Sequence, residues 1–175
     1  MLLIVVCAAT LFLSVGCDSE EKTEEENVPT ISGTDGSILL SAVRKDSKVD
    51  VTVRLTKNCG INQMVLELIY NTKVMTLTGL DEGPALGGLG LTTTNTKTEK
   101  GYAITPFRFV YMNNSNSNDS STGVMFVLHF SVKKDAGRSS TAVGLTYQRG
   151  DINSYAASRL VSRAFAITPV TISLS

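Results

Sequence analysis

The sequence predicts an all-β domain, a sandwich or a jelly roll, and two observations carry this prediction. Eight or nine short segments, over about 140 residues, alternate apolar and polar side chains and are separated by turn-prone residues. No segment has the apolar periodicity of a convincing amphipathic helix, and the longest helix-tolerant window is only residues 155–165. Hydrophobic residues make up 42% of the chain, which is enough for a packed core.

Residues 1–17 are predicted to be a lipoprotein-type signal peptide. Leu2 to Gly16 is uncharged and apolar, and its length suits a signal peptide better than a transmembrane helix. The segment ends in Ser14-Val15-Gly16-Cys17, which resembles a bacterial lipoprotein cleavage box, so Cys17 is the predicted lipidation site. An ordinary signal peptide and a membrane anchor are the alternatives. The prediction places the domain outside the cytoplasm, anchored to the membrane by lipid.

Residues 18–36 are predicted to be an acidic, disordered tether. Between positions 18 and 30, six acidic residues accompany a single base, Lys22. Such a segment has little apolar area to bury, and its like charges keep it extended. Elsewhere the chain has fifteen basic and ten acidic residues, and the basic residues are mostly scattered singly. That distribution argues against a nucleic-acid partner.

The domain is predicted over residues 37–175, and strand signals fill its first half. Residues 37–43 form an apolar segment, and residues 49–56 alternate valine or leucine with polar residues. The segment 63–70 follows, and successive side chains of a strand point to opposite faces. Its predicted core face is Met64, Leu66, Leu68 and Tyr70, and its predicted outward face is Gln63, Val65, Glu67 and Ile69.

The second half of the domain continues the strand pattern. Residues 102–112 form a strand in which Pro106 belongs at an edge or a bulge, because proline lacks a backbone donor. Residues 123–132 form another strand, and residues 149–163 are predicted to be irregular. In the strand 123–132 the outward side chains are predicted to be Met125, Val127, His129 and Ser131. Residues 166–174 close the chain as a strand.

Catalytic chemistry finds little support in the sequence. His129 is the one histidine, and it lies within a strand with no evident carboxylate partner. Cys59 is the only cysteine of the predicted domain, which leaves no intrachain disulfide and no metal-binding cysteine pair. No nucleophile, zinc or phosphate-loop motif is present. The chain is therefore predicted to be no enzyme and to need neither cofactor nor metal.

Three segments, taken in order and spacing, resemble cohesin modules. Residues 49–61 contain V-x-V-x-L followed by Asn and Gly-Ile, and residues 66–75 are an apolar strand, Tyr-Asn, a short turn and Val-Met. Residues 123–133 resemble the cohesin strand that begins Gly-Val and ends Val-Lys. The resemblance covers residues 37–175, and it implies a nine-stranded β-sandwich of jelly-roll topology.

This resemblance implies a non-catalytic binding module at the cell surface. Cohesins bind dockerins, the calcium-loaded helical modules of polysaccharide-degrading enzymes, so the calcium is carried by the partner. The dockerin face of cohesins lies on the sheet that contains the strand corresponding to residues 63–70. The implied partner-binding residues are Gln63, Val65 and Glu67, with Met125, Val127 and His129 as a second set.

Two other functions are compatible with the same fold. A carbohydrate-binding module stacks exposed aromatic rings on sugars, and Tyr102 and Tyr155 are the main aromatic residues outside the predicted core faces. A structural or adhesion domain that has lost dockerin binding is the other alternative, since Asn71 stands where cohesins usually carry Asp.

Overall fold

The computed structural model describes residues 28–87, 90–93, 98–99, 102–134 and 136–175. The strands are β1 (Gly36–Lys45), β2 (Lys48–Lys57), β3 (Gln63–Tyr70), β4 (Met75–Glu82), β5 (Gly90–Thr93), β6 (Thr98–Glu99), β7 (Tyr102–Met112), β8 (Gly123–Val132), β9 (Ser140–Thr146), β10 (Ile152–Ala156), β11 (Arg159–Ser162), β12 (Phe165–Thr168) and β13 (Val170–Ser173). The predicted signal peptide with Cys17, and the tether up to residue 27, lie outside the described residues.

The strands form two sheets that pack face to face. The smaller sheet has five strands in the order β12-β1-β2-β8-β4. The larger sheet has eight strands, with β11-β10-β3-β7-β5 as its main path and β9 pairing with both β3 and β13. The chain crosses repeatedly between the sheets, and its last crossing falls at Pro169, between β12 and β13. The predicted all-β sandwich is confirmed.

The predicted count of nine strands is wrong, because the described residues contain thirteen strand segments. The predicted irregular region contains a hairpin in which β10 pairs with β11. Its turn residues, Ala157 and Ser158, both have positive φ values, 49° and 60°, as a two-residue type I′ turn requires. The predicted last strand is split at Pro169, which has no N–H for a strand ladder.

The core lies between the sheets and follows the predicted alternation. In β2 the four apolar residues at positions 49, 51, 53 and 55 are buried, and in β3 the predicted core face is buried. Across the sandwich, Phe109 of β7 stacks on Phe126 of β8, with ring centroids 4.2 Å apart. Tyr70 of β3 meets Phe130 of β8 edge to face. The core therefore fixes which faces of β3 and β8 look outward.

The ordered domain begins earlier than predicted. Ile31 exchanges backbone hydrogen bonds with Ile167 of β12, at 3.0 and 2.8 Å, which extends the edge of the smaller sheet. The Asp35 carboxylate accepts a hydrogen bond from the backbone N–H of Ala164 at 2.8 Å. The prediction of a disordered tether over 18–36 is therefore wrong for residues 31–36, where the backbone of Ile31, Asp35 and the first residue of β1 pairs with the sandwich. Among the described residues, no helix has the length and apolar character needed to cross a membrane.

Candidate functional site

The two predicted sets of partner-binding residues lie on opposite sides of the molecule. Gln63, Val65 and Glu67 belong to β3, in the larger sheet. The second set belongs to β8, which lies between β2 and the edge strand β4 in the smaller sheet. Outward side chains of the two sheets face away from each other across the core. The two sets cannot contact one partner surface together, so they define two separate candidate surfaces.

The first surface is the outer face of β3 and β7, which we call the β3 face. It consists of Gln63, Val65, Glu67, Arg108, Val110 and Met112. Cross-strand pairing places Val65 opposite Val110, with Gln63 opposite Met112 on one side of them. The side chains of β3 on this face are half-buried, and Met112 is 58% exposed. The prediction that these three β3 residues point outward is consistent with their burial.

An ion pair forms the other end of the β3 face. Arg108 lies opposite Glu67 in the strand ladder, and its guanidinium donates to Glu67 Oε1 through both Nε, at 3.1 Å, and Nη2. Beyond this pair the β3–β7 register shifts, and Pro106 lies in the interruption between Arg108 and Ile104. The sequence prediction of an edge or a bulge at Pro106 is thereby confirmed. The apolar centre of the face thus has an amide on one side and an ion pair on the other.

The N-terminal segment covers one border of the β3 face. Gly144 of β9 lies opposite Ile69 of β3, and a Cβ added at Gly144 would lie 2.3 Å from Val28 Cγ1. Val28 therefore packs directly over the backbone of β9, where only glycine leaves room for it. Ile69 lies next to this covered region, whereas Val65 and Val110 lie nearer the centre of the sheet.

The second set is wrong in one of its three residues. Met125 was predicted to face outward, but its side chain is fully buried. The β2–β8 register pairs Val53 with Phe126 and Arg54 with Val124, so Met125 is the extra residue of a β-bulge. The bulge shifts the alternation by one residue and buries both Met125 and Phe126. Val127 and His129, beyond the bulge, are partly exposed as predicted.

His129 has two carboxylate partners, contrary to the prediction that it has none. Its Nδ1 lies 2.7 Å from Asp50 Oδ1, and its Nε2 lies 3.0 Å from Asp81 Oδ2. The three residues come from β2, β8 and β4, which are neighbours in the smaller sheet. Gly79 lies opposite His129 in β4, and the imidazole passes over it. A Cβ added at position 79 would lie 3.5 Å from His129 Cδ2, an ordinary van der Waals contact.

Hydrogen bonds that the protonated imidazole donates to Asp50, the larger effect, and to Asp81 raise the pKa of His129 above its ordinary value of 6.5, against a smaller opposing effect of burial. The folded state thus favours the imidazolium form of His129. The contribution of this group to the stability of the fold is complete below about pH 6.5 and is lost as the pH rises through the pKa that His129 has in the folded state. We expect the free energy of unfolding to fall over that interval by less than about 1 kcal/mol, because both carboxylates are largely exposed.

A single-histidine titration checks this expectation, since NMR of the imidazole protons reports His129 alone. Asp50→Asn should lower the measured pKa, whereas Asp46→Asn, at an exposed turn residue, should leave it unchanged. The His129→Gln variant should lose the corresponding pH dependence of its urea midpoint. A wild-type pKa at or below about 6.5 would contradict the proposed effect of the two carboxylates.

In the part of the chain that the structure describes, no group of three or more His, Cys, Asp or Glu side chains is arranged to hold a metal ion. Cys59 is an exposed free thiol. Among the side chains that the structure describes, the exposed large apolar ones are Leu39, Val43, Met112 and Leu160, and Tyr155 is half-buried. The side chain of Tyr102 lies outside the described residues.

No protein-family model and no curated protein matches the sequence. Among solved structures, the seventh ScaB type I cohesin of Pseudobacteroides cellulosolvens superposes with a TM-score of 0.60 at 15% identity, covering 79% of this chain and 91% of its own.

Two further solved structures show the same likeness. The sixth cohesin of scaffoldin B from Acetivibrio cellulolyticus, in complex with a dockerin variant, gives a TM-score of 0.59 at 18% identity and covers 81% of this chain and 100% of its own. A type I cohesin–dockerin complex from Clostridium thermocellum gives 0.56 at 14% identity, covering 78% and 98%. At these identities the likeness establishes the fold. The sandwich built by this chain is therefore the cohesin fold, as the sequence predicts.

Proposed function

We propose that this chain is a non-catalytic binding module of the cohesin type and that its β3 face binds a dockerin. The observation that carries the proposal is the composition of that face, an apolar Val65–Val110 centre with polar and charged neighbours on both sides. Two of the similar solved structures are cohesins in complex with dockerins, which supports the choice of partner. The dockerin would carry its own calcium.

The physical basis is that of a small protein interface. The centres of such interfaces exclude water around apolar anchors, while their rims stay polar. Val65 and Val110 are two β-branched side chains held rigid by the strand ladder, so little conformational entropy is lost when they are covered. Arg108 and Glu67 already orient each other, which fixes the charge pattern that a partner meets.

In this proposal the module is held at the outer surface through Cys17. The supports are the apolar leader and the small residue before the cysteine, both features of the sequence. A module anchored in this way would hold a dockerin-bearing, polysaccharide-degrading enzyme at the cell envelope. Its own part in polysaccharide breakdown would be binding alone.

Val65→Glu should weaken dockerin binding at least about tenfold, because it places a charge in the apolar centre of the β3 face. The measurement is isothermal titration of the chain against a panel of calcium-loaded dockerins. Val127→Glu is the matched control, since Val127 is half-buried on the outer face of the smaller sheet. It should leave the affinity unchanged.

The two variants also distinguish the two candidate surfaces. If Val127→Glu lost binding and Val65→Glu kept it, the partner surface would be the smaller sheet and the assignment to the β3 face would be wrong. If the wild-type chain bound no dockerin of the panel, the proposed partner class would be wrong. The free energy of unfolding of both variants, measured by urea denaturation, should stay within about 1 kcal/mol of the wild-type value. A variant that loses binding under this condition has lost a contact with the partner and has kept its fold.

A further inference from the structure

One end of the sandwich concentrates positive charge. The turn between β1 and β2 is flanked by Arg44, Lys45 and Lys48. The loop between β8 and β9 contains Lys133, Lys134 and Arg138. Two acidic residues accompany them in sequence, Asp46 and Asp135, and Asp135 lies outside the described residues. The charged residues that line a cleft of about 250 Å³ at this end, which we call the basic cleft, are Arg44, Lys133, Lys134 and Arg138 together with one acidic residue, Asp46.

The basic cleft is built on well-defined backbone contacts. The backbone N–H of Val132 donates to Ser47 O at 2.7 Å, which joins the loop to the turn. Arg44 donates through Nε to Asp46 O at 2.8 Å and through Nη1 to Ser173 O at 3.0 Å. It also donates through Nη1 to Ser175 O at 3.4 Å, and together these contacts orient the guanidinium. Lys133 and Lys134 are exposed at the rim.

The N-terminal segment is directed toward the same end of the sandwich. Ile31 pairs antiparallel with Ile167, whereas β12 runs parallel to β1, whose last residues reach the basic cleft. The residues that precede Ile31 therefore run toward the end of the sandwich that carries the basic cleft. Val28 confirms this direction, because it lies over Gly144 and beside Pro169, past Ile167 on the way to β13. β13 ends at Ser173, which touches Arg44.

The residues before Val28 carry the complementary charge and have the required reach. Positions 18–26 contain six acidic residues and one lysine. From Gly144 to Arg138 is six residues along an extended chain, or about 20 Å at about 3.3 Å per residue. The ten residues 18–27 span up to about 33–36 Å when extended. The acidic positions 20–26 therefore cover the distance from Val28 to the cleft.

We propose that the acidic segment 18–26 binds the basic cleft of its own chain. Carboxylates of the segment pair with the ammonium groups of Lys133 and Lys134 and with the oriented guanidinium of Arg44. The contact holds the domain close to residue 17 at low ionic strength and releases it as salt screens the charges. It does not involve the β3 face, so it stands independently of the proposed partner. An external polyanion would have to displace the segment to enter the cleft.

Zero-length carbodiimide coupling tests the proposal, because it joins a carboxylate to an amine only where the two are in contact. The full chain is treated in micelles of an uncharged detergent and analysed by peptide mass spectrometry. We expect Glu20–Glu26 to couple to Lys133 and Lys134 at least about fivefold more than to Lys57, which is exposed at the far end of β2. At 1 M NaCl, where the Debye length is about 3 Å, the excess should disappear.

Variants and isotope labels complete the test. Glu24→Gln/Glu25→Gln/Glu26→Gln should shift the amide NMR signals of Lys133 and Lys134 relative to the wild type, and it changes no described residue of the sandwich. Equal coupling at Lys57, coupling that resists salt, or coupling found only between a labelled and an unlabelled chain would each overturn the proposal. Coupling within one chain that disappears with salt supports it.

Discussion

Phe126→Ala should lower the free energy of unfolding by about 3–5 kcal/mol, the range for deleting a fully buried aromatic side chain. Phe126 is completely buried, and its ring stacks on Phe109 with an interplanar angle of 22°. The two rings come from different sheets, so the alanine leaves a cavity in the layer that joins them. Urea denaturation followed by fluorescence or circular dichroism measures the change.

The control for this substitution is Val43→Ala, which removes apolar atoms from a side chain that is 72% exposed. Its effect should stay within about 0.5 kcal/mol. A double-mutant cycle with Phe109→Ala should show a coupling of about 0.5–1.5 kcal/mol beyond the loss of buried area. If Phe126→Ala lowered the free energy of unfolding by less than about 1 kcal/mol, the stacked pair would not be a major contact between the sheets.

Gly83→Ala should lower the free energy of unfolding by about 1–3 kcal/mol or more, the second largest effect after Phe126→Ala. A Cβ at this position would lie 2.1 Å from Val124 O and 2.5 Å from Val124 C, both of them backbone atoms. The backbone must move, and the hydrogen bonds of Gly83 to Met125 O, at 2.8 Å, and of Ala85 to Val124 O, at 3.0 Å, would be strained. Those bonds hold the bulged end of β8.

Gly87→Ala is the matched control, because it lies in the same loop and nothing surrounds its missing Cβ within 4 Å. It should be neutral or slightly stabilising, by up to about 1 kcal/mol, since alanine restricts the unfolded chain. Both variants are compared by their urea midpoints at one pH. Equal effects of the two substitutions would show that backbone entropy, and not the contact with Val124, governs position 83.

The regular parts of the fold are predictable because strand alternation is a local property. The apolar residues of β2 and the core face of β3 follow a period of two without interruption, and the structure buries them as predicted. The outward positions of β3 follow from the same pattern. This much of the β3 face was accessible from sequence, whereas Val110, Arg108 and Met112 were not, because their partners depend on strand register.

Other features depend on distant parts of the chain. Met125 has the spacing of an outward residue, and only the pairing with β2 shows that a bulge buries it. His129 lies 79 residues from Asp50 and 48 residues from Asp81, so no local sequence motif predicts the contacts between them. The β10–β11 hairpin was missed for a local reason, since Ala157 and Ser158 replace the Asn or Gly that usually indicates such a turn.

The pairing of Ile31 with β12 also bears on association between copies of the chain. Edge strands offer unpaired N–H and C=O groups on which another chain can add a strand. At the β12 edge, Ile31 already occupies both backbone groups of Ile167. At the β4 edge, a register shift beside Thr78 and the charges of Asp81 and Glu82 make a regular addition unfavourable. The N-terminal segment therefore covers part of the β12 edge, and a domain shortened to residue 37 would leave the backbone groups of Ile167 open to strand addition.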